Sequence, residues 1–132
     1  MGRSGPREKG KRFELEVARI FKARGYPNAE RNVQSKGGDH EGQDIEGVPF
    51  AVECKRTKSP IFTKVARDGF DQSAWAEVAR SGAKGEPLRP SIVVTRWDGC
   101  VQPWVVTTLT DFLNAVEEAY QRGVADSQPK RS

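Results

Sequence analysis

The sequence predicts an α/β domain in which a central mixed β-sheet is flanked by helices. Two observations carry this. Stretches with a helical period alternate with apolar or period-two stretches in the order helix, strands, helix, two strands, helix. That order suits helices packed on the faces of one sheet. The chain has 132 residues, 36% hydrophobic and 30% charged, which is enough for one core and too little for two. Residues 1–123 are expected to form a single domain, with the polar stretch 124–132 as a disordered tail.

The first helix spans Lys9 to Arg24. Phe13, Val17, Ile20 and Phe21 fall at i, i+4, i+7 and i+8 and make one apolar stripe. Lys22 and Arg24 complement the dipole in the last turn, and Gly25 supplies the stop. Glu14 and Glu16 border the stripe on opposite sides. Glu16 has Arg12 at i−4 and Arg19 at i+3 as surface partners, whereas Glu14 has only Lys11 at i−3. Glu14 can therefore lean over a sheet or pair with Lys11. Ala29 to Asn32 reads as a short strand, Val33 to Gly42 as a loop, and Asp44–Gly47 with Phe50–Arg56 as a hairpin turning at Glu46-Gly47-Val48-Pro49.

Asp68 to Ser81 reads as a helix with Phe70, Ala74 and Val78 inward, Trp75 and Ala79 beside them, and Gln72 on the surface. After a polar loop, Gly82 to Pro90, come the strands Ser91–Arg96 and Trp104–Thr108, with an Asp98-Gly99 turn signal between. Thr110 is expected to cap a last helix that buries Phe112, Leu113, Val116 and Tyr120 and stops at Gly123.

Chemistry concentrates in the hairpin. Phe50, Val52 and Cys54 alternate with Ala51, Glu53 and Lys55, so Glu53 and Lys55 emerge together from one strand face. Asp44 lies nine residues before Glu53. Two carboxylates with nearby backbone carbonyls make a hard-oxygen site suited to Mg²⁺. An adjacent lysine can orient a water or offset charge on a phosphate. The pattern reads as a metal-dependent phosphodiesterase site, although alone such a string is weak and often just a solvated edge. Asp39 is the alternative to Asp44; Ile45 favours Asp44 by giving it a strand neighbour.

Residues 1–36 carry ten Lys/Arg against four Asp/Glu, and Lys55, Arg56, Lys58, Lys64 and Arg67 form a second basic stretch without acids. Basic stretches beside an acidic pocket suit a phosphate backbone, read by shape rather than base sequence. Cys54 and Cys100 lack CxxC spacing, which argues against zinc or a disulfide framework; Cys54 reads as a small core residue in a reducing compartment. One histidine, His40, reads as a loop residue, and a Ser-His-Asp site is excluded. No apolar run approaches the ~20 residues that span a bilayer, and Met1 to Lys11 has no signal-like apolar region. The expected location is the cytoplasm of a prokaryotic or virus-infected cell, without membrane contact or a small-molecule cofactor.

Lys9-Gly10-x-x-x-Glu14, the helix end at Gly25-Tyr26, Arg31, Ser35-Lys36 and Asp44…Glu53-x-Lys55 together resemble the archaeal-type Holliday junction resolvases of the PD-(D/E)xK nuclease superfamily. The resemblance covers residues 9 to about 58 in order and fades afterwards. It implies a restriction-endonuclease-like core and a homodimer cutting four-way DNA junctions with Mg²⁺, or Mn²⁺ in its place. It implies Asp44, Glu53 and the Cys54 carbonyl as metal ligands, Glu14 as an assisting helix carboxylate and Lys55 as the catalytic lysine. Ser35 matches a loop serine near the scissile phosphate, and Gln72 a glutamine that approaches the site in related nucleases. Lys9, Arg12, Arg31, Ser35, Lys36, Arg56, Lys58, Lys64, Arg67 and Gln72 are the expected DNA contacts. Leu15, Phe62, Trp75, Trp97 and Trp104 are candidates for the dimer patch. Another nuclease of the superfamily (restriction-type, nicking or repair) and a non-catalytic DNA-binding module are the alternatives.

Overall fold

A computed structural model describes residues 6–32 and 43–127. Ser35, Lys36, Asp39 and His40 lie outside the described residues. The elements are α1 (Pro6–Ala23), β1 (Glu30–Arg31), β2 (Ile45–Glu46), β3 (Ala51–Thr57), α2 (Phe62–Lys64), a π-helical stretch (Val65–Gly69), α3 (Phe70–Lys84), β4 (Ser91–Trp97), β5 (Trp104–Val106) and α4 (Leu109–Ser127). The sheet has the order β1-β2-β3-β4-β5. β3 and β4 run parallel, joined through the helical crossover, and the other neighbours run antiparallel. No helix among the described residues is long and apolar enough to cross a membrane.

The two faces of the sheet differ. Phe13, Val17 and Ala18 of α1 pack with Ile45, Phe50, Val52 and Val94 into the apolar core, and Cys54 borders it. The opposite face, with Glu53 and Lys55, looks toward the crossover helix. Gly47 turns the β2–β3 hairpin at φ +79°, and a Cβ there would stand 2.0 Å from the Asn28 carbonyl oxygen, so the turn admits only glycine.

Several helical faces differ from the sequence expectation. The buried line of the crossover is Val65, Gly69, Ser73 and Glu77, not Phe70, Ala74 and Val78, and Val78 is 57% exposed. Apolar periodicity missed this face because polar bonds and close approach hold it. A Cβ on Gly69 would press on the Val93 methyls at 3.1 Å, and the Ser73 hydroxyl donates to the Ala51 carbonyl at 3.3 Å. Glu77 accepts from Arg80 and Arg89, each at 2.9 Å. On α1, Ile20 of the expected stripe is exposed, and Glu16 pairs with Arg96 at 2.6 Å rather than with Arg12 or Arg19. On α4, Phe112, Leu113, Val116 and Tyr120 are at least half exposed, while Ala115 meets the core. Thr108, not Thr110, caps α4 by accepting from the Asp111 N–H at 3.0 Å. The helix continues past Gly123 to Ser127.

Candidate active site

Strand alternation sends Glu53 and Lys55 out of β3 on one side, and the hairpin brings Asp44 back beside them. The Asp44 N–H donates to the Val52 carbonyl at 3.0 Å, and the Cys54 N–H donates to Asp44 Oδ2 at 2.8 Å. Backbone pairing and a side-chain bond thus fix the Asp44 carboxylate at the strand edge. A strand residue sends its N–H and C=O to the same side, so the Cys54 carbonyl faces that edge too. Asp44 and Glu53 line one cleft of about 340 Å³ with Asp71, Gln72, Trp75, Ala76 and Ala79 of α3.

Lys55 reaches two of these lining residues. Its ammonium stands 3.6 Å from Glu53 Oε1 and donates to Gln72 Oε1 at 2.7 Å. Gln72 is exposed, as its place on the helix leads one to expect, and from that surface position it also anchors Lys55. The helix can come this near because Gly69, one turn earlier, has only Val93 and the Lys55 chain against it. π-Helical turns of this kind often accompany functional sites.

Electrostatics mark the centre. Burial first, and then the charge of Asp44, push the Glu53 carboxyl up to about 8, with Lys55 opposing. Burial and Asp44 also raise Glu14, with Arg31 opposing. Glu14 comes from α1, in the opposite layer, and accepts from Arg31 Nε at 2.9 Å; both side chains are mostly buried. Arg31, expected on DNA, is thus committed to Glu14, and the Lys11 pairing gives way to it. Burial and the surrounding carboxylates raise the Cys54 thiol well above its ordinary range, which makes it an inert core thiol.

Among the described residues no three His, Cys, Asp or Glu side chains form a metal-holding group. Asp44, Glu53 and the Cys54 carbonyl would offer an incoming cation two carboxylates and a strand carbonyl. That set suits Mg²⁺, which keeps several waters and is commonly bound through one or two carboxylates plus substrate phosphate. A divalent cation would also relieve the repulsion that raises Glu53.

The expected DNA contacts divide. Lys9, Arg12, Lys58 and Lys64 are exposed. Arg56 is held by Asp98 at 2.8 Å and by the Thr57 carbonyl at 2.6 Å, and Arg67 pairs with Asp68 at 3.4 Å. Two features behind the site escaped sequence reading. Trp75 lines the cleft, whereas Phe62, Trp97 and Trp104 cluster elsewhere, with ring centroids 5.3–6.4 Å apart. The other is a polar lock. Gln43, next to Asp44, donates to Glu77 Oε1 at 3.3 Å and accepts from Arg89 at 3.1 Å. Their signals were the i+3 spacings Gln72/Trp75 and Glu77/Arg80.

A sequence-family profile described as "phage putative PDDEXK endonuclease" matches residues 5–128. No curated protein and no solved structure matches the chain. The match supports the PD-(D/E)xK superfamily and does not extend to the archaeal resolvase type.

Proposed function

Because the chain belongs to this family of phage PDDEXK endonucleases, we propose that it is a divalent-metal-dependent DNA endonuclease, with Mg²⁺ or Mn²⁺ held by Asp44, Glu53 and the Cys54 carbonyl. One observation carries the reading: Asp44 and Glu53 share a cleft with Gln72, which bonds Lys55. A bound divalent cation supplies charge neutralisation at the phosphate and a more acidic water. Lys55, steadied by Gln72, orients the attacking water and offsets charge developing on the phosphate. Glu14, paired with Arg31 at 2.9 Å, assists the metal or its water. Water replaces the 3′ oxygen at phosphorus, so the products carry a 5′-phosphate and a 3′-hydroxyl.

The finer reading is resolution of four-way junctions, supported by the ordered resemblance over residues 9 to about 58. Labelled four-way junction, Y-fork, nicked duplex and linear duplex are compared in Mg²⁺, with Ca²⁺ as a looser-coordinating cation that supports binding without turnover. Preferential paired cutting of the junction is expected. Equal cutting of linear duplex would reduce the reading to a general nuclease, and no cutting of any substrate would favour a binding module.

Two opposed cuts need two sites, and one chain carries one Asp44/Glu53/Lys55 set, so a C₂ homodimer completes the reading. Its support is uncovered apolar surface: Phe112, Leu113 and Val116 on α4 are 50–54% exposed, and Phe62 and Trp104 are 42% and 51% exposed. Sedimentation at micromolar concentration is expected to give the mass of two chains. A strict monomer, with and without junction DNA, would contradict junction resolution and point to nicking.

A further inference from the structure

Trp75 is 77% exposed, yet it lines the same cleft as Asp44 and Glu53. It lies one helical turn after Gln72, so the indole and the side chain that anchors Lys55 share one helix face. On that face Ala76 and Ala79 present only methyl groups to the cleft. The result is an apolar floor with one aromatic wall, opening directly beside the paired carboxylates. Its volume of about 340 Å³ sits at the small end of ligand sites, enough for one planar group.

The cleft is polarised. Lys55 stands beside it, bonded to the lining residues Gln72 and Glu53. Asp71 lines it one turn before Trp75. A phosphate is therefore drawn toward Lys55 and repelled near Asp71, which leaves the Trp75 end for an uncharged, flat group. A nucleobase is such a group, and every base offers a π-face for stacking. A base inside an intact duplex cannot leave its neighbours to lie on the indole while its phosphate meets Asp44 and Glu53. It has to be unpaired already, or extruded at the cost of its stacking.

We infer that Trp75 is a specificity-determining residue that stacks an unpaired nucleotide adjacent to the scissile phosphate, so that the enzyme selects strands with a free or easily unstacked base at the cut. This rests on the endonuclease reading and adds the local substrate class to it.

The test uses the full chain with Trp75→Ala and Trp75→Phe. In Mg²⁺, Trp75→Ala is expected to raise KM roughly 5- to 100-fold for DNA with unpaired nucleotides at the cut, as loss of one stacked base does. Cutting of fully paired duplex changes little, Trp75→Phe restores most of the loss, and the melting temperature of both variants stays near that of the wild type. In EDTA, a short single-stranded oligonucleotide is expected to quench a part of the tryptophan emission that is missing in Trp75→Phe. Equal effects of Trp75→Ala on paired and unpaired substrates, or equal behaviour of the Ala and Phe variants, would overturn the inference. The quench needs no cleavage, so the two readings fail separately. A Trp75-dependent quench with no cutting in Mg²⁺ supports the stacking site and sinks the nuclease. Cutting without that quench does the reverse.

Discussion

Asp44→Asn and Glu53→Gln are each expected to lower DNA cleavage in Mg²⁺ by about 10³-fold or more while leaving DNA binding nearly unchanged. Each exchange removes one negative oxygen from the donor pair and almost preserves its shape. A metal's charge stabilisation at a phosphate is worth several kcal/mol, and about 4 kcal/mol corresponds to a 10³-fold change in rate. Binding survives because phosphate affinity comes from exposed cations such as Lys9, Lys58 and Lys64. Single-turnover cleavage and gel-shift titrations on the same preparations separate the two effects. Asp44→Asn removes more than a ligand, since the carboxylate also accepts from the Cys54 N–H at 2.8 Å; its amide oxygen can keep that bond. Strong Mg²⁺-dependent cutting by Asp44→Asn would transfer the ligand role to Asp39.

The largest effect on stability is expected from Glu77→Ala, about 3 kcal/mol, with a fall in melting temperature of roughly 10 °C. The Glu77 side chain is 3% exposed and meets Arg80 and Arg89, whose side chains are 12% and 21% exposed. Removing the carboxylate leaves two guanidiniums near the interior with only carbonyls, Gln43 and Glu86 to share. The same lock holds Gln43, the residue before Asp44, so some loss of activity accompanies the loss of stability. The pH dependence follows from the shift. Burial alone would raise the Glu77 carboxyl, but hydrogen bonds from Arg80 and Arg89 outweigh it and bring it from 4.5 down to about 2. A carboxylate lowered in the folded state contributes stability above its unfolded value, lost as pH falls through the folded one. The stability difference between wild type and Glu77→Gln is therefore constant above pH ~5 and shrinks toward pH 2. Denaturant melts at stepped pH measure it. A difference independent of pH in that range would show that the lock is not ionic.

Legibility followed the kind of force that places each residue. The hairpin and the face that carries Glu53 and Lys55 were readable because period-two alternation in Phe50–Lys55 is a local rule, and the hairpin pairs Ile45 with Val52. The strands β4 and β5 were readable as short apolar runs on either side of the Asp98-Gly99 turn signal. The crossover helix was found but turned the wrong way. Its inward line, Gly69, Ser73 and Glu77, is set by close approach and by bonds to residues twelve or more positions away, which an apolar stripe does not signal. α4 was misread in the opposite sense. Its stripe is genuine, but most of it stays uncovered in a single chain, so amphipathicity announced a face without saying what covers it. Glu16 shows a third limit. Its partner, Arg96, lies 80 residues away, whereas helix spacing offers only local partners.

Time-resolved cleavage of an end-labelled four-way junction, run in Mg²⁺, then with EDTA, then with excess Mg²⁺, tests the central claim most directly. Cutting is expected to proceed, stop on chelation and resume, leaving 5′-phosphate ends, with Glu53→Gln inert throughout. Cutting that continues undiminished in EDTA, or equal cutting by Glu53→Gln, would contradict a metal-dependent site at Asp44, Glu53 and Lys55.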